Sequence, residues 1–436
     1  MTVYRIKKGL SLPVKGAPSG EVIDMTSVSC VGILGDDYPN LKPSMLVKEG
    51  ETVKKGQPVF TDRKNPSAVF TAIATGIVKA VHRGDKRKFL SLVIEKTSGD
   101  AVRFDTSYTD RSTALKLLTD SGLFTSLRRL PFAVVPHADD KPDAVFVNCM
   151  DTRPLAPDMK LLYQGNEEYF AEGMKLVKML ADKTYVCCAP DMKVADDAVI
   201  FDGIHPAGLT GTHVHFLRPV SMRRCVWTMD MQTVIDIGYL IKHKELNESK
   251  TIALSGACVK SPCHIKTVKG ASIRQITNGR IEEENTRVIN GSVLYGLTVS
   301  EETAYLSSVM NQVSVVNEQT DRPFMGWLMP GAKVHSVKNI FLSKILREKN
   351  VEFDTSMKGC VRAMVPVGIY EKVMPMDILP THLLRALLVK DYETAEKLGC
   401  LELSEEDLSL CTYACPGKID YAPVLRSALT EIEKEG

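Results

Sequence analysis

The sequence predicts a multidomain α+β protein. Three observations carry that reading: a β-rich first hundred residues punctuated by glycine, a strand–helix–strand succession between Ala144 and Cys188, and a helical stretch beyond residue 335 that follows a second block of strands. The chain has 436 residues, which at roughly 100–200 residues per domain gives two to four domains.

The first block predicts short strands at Pro43 to Val47, Gln57 to Thr61, Ser67 to Ala72, Gly76 to Val81 and Leu90 to Glu95, with turns at Gly50, Gly56, Gly76 and Gly84. The stretch VKEGETVKKGQPVF, Val47 to Phe60, has the pattern of biotinyl and lipoyl carrier domains. In a carrier, a lysine at a hairpin tip holds a swinging cofactor, flanked by methionine. Lys64 lies near the right place, but its neighbours are Arg63, Asn65 and Pro66. The scaffold matches and the attachment signal does not.

The second block opens with a helix at Thr113 to Leu118, ended by Asp120-Ser121-Gly122. The apolar run Ala144 to Asn148 predicts a buried strand, and Cys149 to Asp158 a proline-containing loop. Asn166 to Ala181 predicts a helix with Phe170, Met174, Val177 and Leu180 on one face. Thr184 to Cys188 is the next strand, so the order argues a parallel unit with a right-handed crossover. Neither a G-x-G-x-x-G loop nor a P-loop accompanies it.

Strand signals return at Thr251 to Leu254, His264 to Val268, Thr286 to Ile289 and Gln312 to Val316, with turns at Gly270, Asn278-Gly279 and Asn290-Gly291. Helices follow at Thr381 to Leu388, Tyr392 to Leu398 and Ala422 to Lys434.

The composition is that of an ordinary globular protein, 44% hydrophobic and 25% charged, and the formal net charge is +2. Such a balance directs no field at nucleic acid or at an anionic membrane. The basic run His82 to Lys88 reads as a solvated hairpin tip, with a phosphate or partner patch as the sharper alternative. No apolar run reaches the ~18–20 residues that cross a bilayer. The opening MTVYRIKKGL lacks a signal-peptide core, and the eleven cysteines form no disulfide framework. A cytosolic protein is expected.

Two stretches invite metal chemistry. Cys411-Thr412-Tyr413-Ala414-Cys415-Pro416 ends as bacterial ferredoxin sites do, but a cluster needs four thiolates, and only Cys400 is close in sequence. Cys187 and Cys188 sit in a strand, where neighbours face opposite ways. The second stretch runs from Asp202 through His205 to His213 and His215. In a strand, His213 and His215 share a face, and His205 and Asp202 could complete a metal set. The spacing matches no metal motif, so these histidines are expected to shape a pocket or an interface, where imidazole suits a quinone carbonyl or a backbone group.

Several stretches occur together from end to end: YRIKKGLSL (Tyr4 to Leu12), the carrier-like hairpin, Arg63-Lys64-Asn65-Pro66 with Phe70-Thr71-Ala72, HPAGLTGTHVHFLRPV (His205 to Val220) and LCTYACPGK (Leu410 to Lys418). In this order they resemble the A subunit of the Na+-translocating NADH:quinone oxidoreductase (Na+-NQR). That family is similar in fold to the flavin-binding NADH subunit of complex I and to the C subunit of the Rnf complex. The resemblance implies a barrel-sandwich hybrid at 1–105, a Rossmann-like domain at 106–250, a β-grasp (SLBB-like) domain at 251–330 and a helical domain at 331–436.

It also implies a role: a cytoplasmic, peripheral piece at the quinone-reducing end of an inner-membrane complex that passes electrons from NADH to quinone and exports Na+. Its partners would be the other subunits, and quinone a possible substrate. NADH, the flavins, the iron–sulfur centre and Na+ would be handled by those other subunits. Where flavin-binding relatives carry a glycine-rich loop, this sequence has Ser121 to Arg128. Where they carry an acidic loop, it has Cys149 to Pro154. Bulky side chains there are expected to occlude a phosphate, and the cluster ligands survive only as Cys411 and Cys415. The expectation is a cofactor fold without its cofactors. The alternatives are a flavin or NADH module, an Rnf-type iron–sulfur module, and a carrier.

Overall fold

The computed structural model describes residues 2–319, 328–332, 334–338, 340–346 and 350–435. Residues 320–327, the end of the expected β-grasp segment, lie outside the described residues.

The first hundred residues form strands β1 (Val3–Ile6), β2 (Val22–Asp24), β3 (Cys30–Leu34), β4 (Pro43–Met45), β5 (Thr52–Val53), β6 (Pro58–Asp62), β7 (Val69–Thr71), β8 (Gly76–Arg83) and β9 (Phe89–Lys96). Seven of them make two small antiparallel sheets, β3-β9-β8-β5 and β4-β6-β7. They close over Val53, Val59, Phe60, Val78 and Leu92, each buried. The carrier-like hairpin turns at Gly50 and Gly56, both at φ +86°. Its would-be carrier tip is pinned: Asn65, beside Lys64, donates from Nδ2 to the carbonyls of Val135 (3.2 Å) and Pro136 (2.8 Å) in the next domain.

The second domain contains α1 (Arg111–Ser121), β10 (Arg128–Leu130), β11 (Val145–Asn148), α2 (Met159–Tyr163), α3 (Glu167–Val177), β12 (Thr184–Cys188), β13 (Val199–Gly203), α4 (Thr210–Leu217), β14 (Val226–Asp230) and α5 (Met231–His243). Its sheet runs β1-β13-β12-β11-β14-β10, parallel except at β10. The order reverses between β11 and β14, so their carboxyl ends open a crevice where α/β proteins bind ligands. Phe170, Met174, Val177 and Leu180 are buried as the periodicity predicts. Cys187 and Cys188 go to opposite faces and into different apolar clusters.

The third sheet comprises β15 (Ser249–Ser255), β16 (Cys263–Val268), β17 (Thr286–Gly291), β18 (Gly296–Thr298) and β19 (Gln312–Asn317), with α6 (Ile273–Thr277) after β16. Its order is β18-β17-β19-β15-β16-β2. Asn290-Gly291 is a bulge at the end of β17, not a turn between strands. The remaining helices are α7 (Ser343–Leu346), α8 (Tyr370–Val373), α9 (Pro380–Leu388), α10 (Tyr392–Lys397), α11 (Ser409–Ala414) and α12 (Ala422–Glu435).

The N-terminal strands cross over. β1 pairs in parallel with β13 of the second domain, and β2 with β16 of the third. The chain's first two strands therefore complete sheets whose other members come much later in sequence.

Candidate functional site

The crevice at the ends of β11 and β14 has a volume of ≈ 310 Å³ and is walled by the second domain, the third sheet and the C-terminal helices. Asn148 ends β11 and holds the start of α4, donating from Nδ2 to Gly208 O (2.9 Å) and Thr210 Oγ1 (3.2 Å). Asp230 ends β14 and caps α5, accepting from Thr233 N (2.9 Å).

The segment in place of a glycine-rich loop, Ser121 to Arg128, does not occlude the crevice with its bulky residues. Leu123, Phe124 and Leu127 are rolled into the domain core by a tight turn, and Phe124 meets Trp227 edge-on at 5.6 Å. Arg128 reaches the crevice instead. Its guanidinium donates to the carbonyls of Thr125 (2.8 Å), Leu127 (2.9 Å) and Asp37 (3.0 Å) and lies over the Tyr38 ring at 5.1 Å. Burial lowers its pKa, partly offset by Tyr38 and Asp37.

The second stretch, Cys149 to Pro154, supplies Asp151 and Arg153. Arg153 bonds Asp151 (2.9 Å) and grips Glu406 with two prongs of 2.5 and 2.6 Å. Burial opposes its charge, but Asp151 and Glu406 outweigh burial and raise its pKa. The adjacent Asp407 is 6% exposed and stands over the first turn of α4: a Cβ on Gly211 would lie 2.3 Å from Oδ2 and 2.5 Å from Oδ1. Oδ2 accepts from Ser404 N (2.8 Å) and Ser404 Oγ (2.7 Å), while Oδ1 has no hydrogen-bond partner. Burial pushes the Asp407 carboxyl up to about 6. A helix start favours an anion, and here the chain's own carboxylate takes that place. A backbone cradle for a flavin phosphate is not formed, so these residues do not fit that group.

The histidines are arranged differently from the sequence expectation. His213 and His215 lie in α4, not in a strand, and two helical positions apart they point to different sides. His213 is buried against Phe201 at 4.2 Å, with Nε2–H donating to Ala207 O at 2.8 Å. Burial lowers its pKa to about 4. His215 Nδ1–H donates to Glu402 (2.8 Å), and its Nε2 accepts from Asp377 N (2.9 Å), so the C-terminal part of the chain fixes the ring from both sides. His205 precedes the cis-proline Pro206 and pairs through Nδ1 with Thr152 Oγ1 at 3.3 Å; its buried Nε2 has no partner. Burial, then Arg153, lowers its pKa to about 3. Asp202 is exposed on β13. Among the described residues, no group of three or more His, Cys, Asp or Glu side chains is placed to hold a metal ion.

Cys411 and Cys415 are both buried in the C-terminal core. Cys415 Sγ accepts from Tyr370 Oη at 3.2 Å and pairs with Tyr421 Oη at 3.5 Å, and the two hydroxyls are 3.0 Å apart. Burial raises the Cys411 pKa. Burial opposes the Cys415 thiolate, but the Tyr370 and Tyr421 hydroxyls outweigh it and lower its pKa.

Sequence reasoning missed Glu402, Glu406 and Asp407. The one local sign was Ser404 three residues before Asp407, a capping-box spacing that the structure realises. It also missed His264, which joins Ser19 O (2.6 Å) to Asp158 N (2.9 Å).

Fold and site together define a class: an α+β multidomain protein with a crevice at the switch point of its largely parallel sheet, where Asp407 packs on the start of α4. The comparisons with known proteins then name the family. Residues 4–97 match the NqrA N-terminal barrel-sandwich hybrid domain, residues 109–246 the NqrA second alpha/beta domain, and residues 251–301 the NQRA C-terminal domain. The A subunit of the Na(+)-translocating NADH-quinone reductase from Psychromonas ingrahamii is 46% identical, with 99% of each chain covered. Its counterpart from Neisseria meningitidis serogroup C is 44% identical, with 100% of each covered. The chain belongs to the NqrA family, the A subunits of the Na(+)-translocating NADH-quinone reductase. A chain of a solved NAD+-reducing [NiFe]-hydrogenase aligns over 48% of this chain and 47% of its own at 16% identity and a TM-score of 0.33, too loose a likeness to carry an argument.

Proposed function

We propose that the chain is a cofactor-free component of its complex, placed at the quinone-reducing end. As a member of the NqrA family it is part of the Na+-translocating NADH:quinone reductase, which passes electrons from NADH to quinone with Na+ export. On this reading, flavins, the iron–sulfur centre and Na+ belong to other subunits, and this chain's four parts are a barrel-sandwich hybrid, a Rossmann-like unit, a β-grasp unit and a helical domain. One observation supports this most directly: the Asp407 carboxyl packs on Gly211 in the first turn of α4, where a phosphate would otherwise meet the helix start. No helix among the described residues is long and apolar enough to cross a membrane. We place the chain on the cytoplasmic face of the inner membrane, held there by its partners.

His205 is the histidine we propose for contact with quinone or a partner, because its buried Nε2 is without a hydrogen-bond partner. We assign positioning roles to His213 and His215, whose ring nitrogens fix α4 to Ala207, Glu402 and Asp377.

The test has two arms. Pull-down from native membranes should recover the other reductase subunits, and the purified chain should show less than 0.1 equivalent, roughly the background level, of flavin or cluster absorption; one equivalent of either overturns the reading. His205→Gln should raise the KM for quinone or weaken recovery of the partner subunits. An unchanged KM together with unchanged recovery removes His205 from the site.

A further inference from the structure

We infer that Cys149 and Cys188 form a redox switch: peroxide converts the two thiols to a disulfide that pulls on the loop beside the crevice. β11 and β12 run in parallel register from Val145 opposite Thr184 to Asn148 opposite Cys187. Cys149 N continues the ladder, donating to Cys187 O at 2.8 Å, so Cys149 and Cys188 are the next opposed pair. Opposed residues of neighbouring strands project from the same face. Both side chains accordingly enter the apolar cluster of Val145, Val147 and Val186, while Cys187 enters the one on the other face. Neighbouring strands stand roughly 4.8 Å apart, within the Cα separation of about 4.4–6.8 Å that a disulfide spans.

The two sulfurs are not equivalent. Cys149 donates its S–H to Cys188, which also accepts from Val194 N, and these bonds lower the Cys188 pKa against the opposing effect of burial. Burial, together with its bond to Cys188, raises that of Cys149. A thiolate held by a partner thiol is the arrangement of an attacking and a resolving cysteine. Two thiols alone make no metal set, and among the described residues no third His, Cys, Asp or Glu is placed to complete one. Both sulfurs are buried, but Cys188 lies against the segment between β12 and β13. That segment carries no helix or strand, and its Asp191, Lys193 and Asp196 side chains are well exposed. Lifting Val194 off Cys188 opens the pair to a small oxidant.

In the reaction the Cys188 thiolate attacks one peroxide oxygen and the O–O bond breaks. Hydroxide leaves and takes up a proton as water, and Cys188 becomes a sulfenic acid. Cys149 then attacks that sulfur, the S–S bond forms, and the Cys149 proton leaves with hydroxide as a second water. The sulfurs give up two electrons to peroxide, and a dithiol reductant returns them. Bond formation draws the sulfurs from contact to about 2.05 Å. Cys149 opens the loop that carries Asp151, Thr152 and Arg153. Oxidation therefore strains the Arg153 clasp on Glu406 and the bonds of Thr152 to His205 and Gly208 N. A transient, sensing disulfide is the kind that a reducing compartment admits.

The experiment exposes the full-length chain to hydrogen peroxide, blocks free thiols with N-ethylmaleimide in denaturant, and maps the peptides by mass spectrometry without reduction. A cross-link between Cys149 and Cys188 that dithiothreitol removes is expected. In Cys149→Ser, which has no resolving thiol, dimedone should trap the sulfenic acid at Cys188. Near-UV circular dichroism checks that the variant is folded, and the wild-type map decides the pairing without it. Two free thiols at peroxide doses that oxidise the exposed Cys360, or a disulfide of either thiol with Cys187, overturn the pair. Limited proteolysis reads the switch itself. The oxidised wild-type chain should release its C-terminal helices roughly fivefold faster than the reduced chain, a difference that Cys149→Ser should lack. Equal rates for oxidised and reduced wild type overturn the switch. None of these outcomes depends on quinone or on a partner chain, so this proposal can fail while the functional reading stands.

Discussion

Arg153 and Glu406, 253 positions apart in sequence, form a two-pronged ion pair of 2.5 and 2.6 Å that ties the loop after β11 to the C-terminal helices. Their side chains are only 20% and 13% exposed, and Asp151, at 5%, holds the other edge of the guanidinium. Arg153→Ala leaves two carboxylates buried without their cation, which costs about 3–5 kcal/mol. Limited proteolysis should then release the C-terminal helices as a fragment. Resistance equal to that of wild type would show that the pair is dispensable.

The buried histidines set an acid limit. His205 and His213 have pKa values lowered from 6.5 to about 3 and about 4, so the folded state binds fewer protons than the unfolded state below pH 6.5. Their contribution is complete above pH 6.5 and is lost as pH falls toward 4. For His213 it is on the order of 3 kcal/mol at roughly 1.4 kcal/mol per unit. Asp407 acts oppositely: raised from 3.8 to about 6, it loses its contribution as pH rises through that window. Burial also raises the Asp37 and Asp236 carboxyls, which act as Asp407 does, so the histidine share is read as the difference between wild type and variant from pH 6.5 to 4.5. His213→Gln, which keeps a donor for Ala207 O, should lose less thermal stability than wild type over that range. An unchanged slope refutes the assignment.

Cys411 and Cys415 can be tested together. The double change Cys411→Ala, Cys415→Ala should cost about 1–3 kcal/mol through lost packing and the lost Tyr370 hydrogen bond. The complex should still assemble, with near-normal turnover and unchanged iron content on anaerobic purification. Loss of iron would make the pair ligands.

Gly9 holds His205 in place. It has φ +146°, and a Cβ there would lie 2.1 Å from His205 O. The same carbonyl accepts from Leu10 N at 2.9 Å. Gly9→Ala should destabilise by about 3 kcal/mol through backbone strain and collision. Denaturant unfolding measures it; a cost below about 1 kcal/mol would mean that the turn relaxes.

The chain's local signals determined the elements whose pattern is self-contained. The apolar face of α3, the strand at β11 and the glycine turns of the first domain need only spacing and turn chemistry to be read, because side-chain period and backbone freedom are local properties. The family, too, was legible, since ordered motifs survive along the whole sequence. The tertiary structure alone decided the rest. It made His213 and His215 helical: eight residues with two Thr, two His, a Gly and a Val carry little helical signal, and anchoring by Asn148, Glu402 and Asp377 overrides propensity. It sent β1 and β2 into later sheets, and it placed Glu406 and Asp407 against a crevice built 175 or more residues earlier by β11 and β14. Such contacts depend on which surfaces remain to be covered once the domains have formed, and no local window of sequence contains that information.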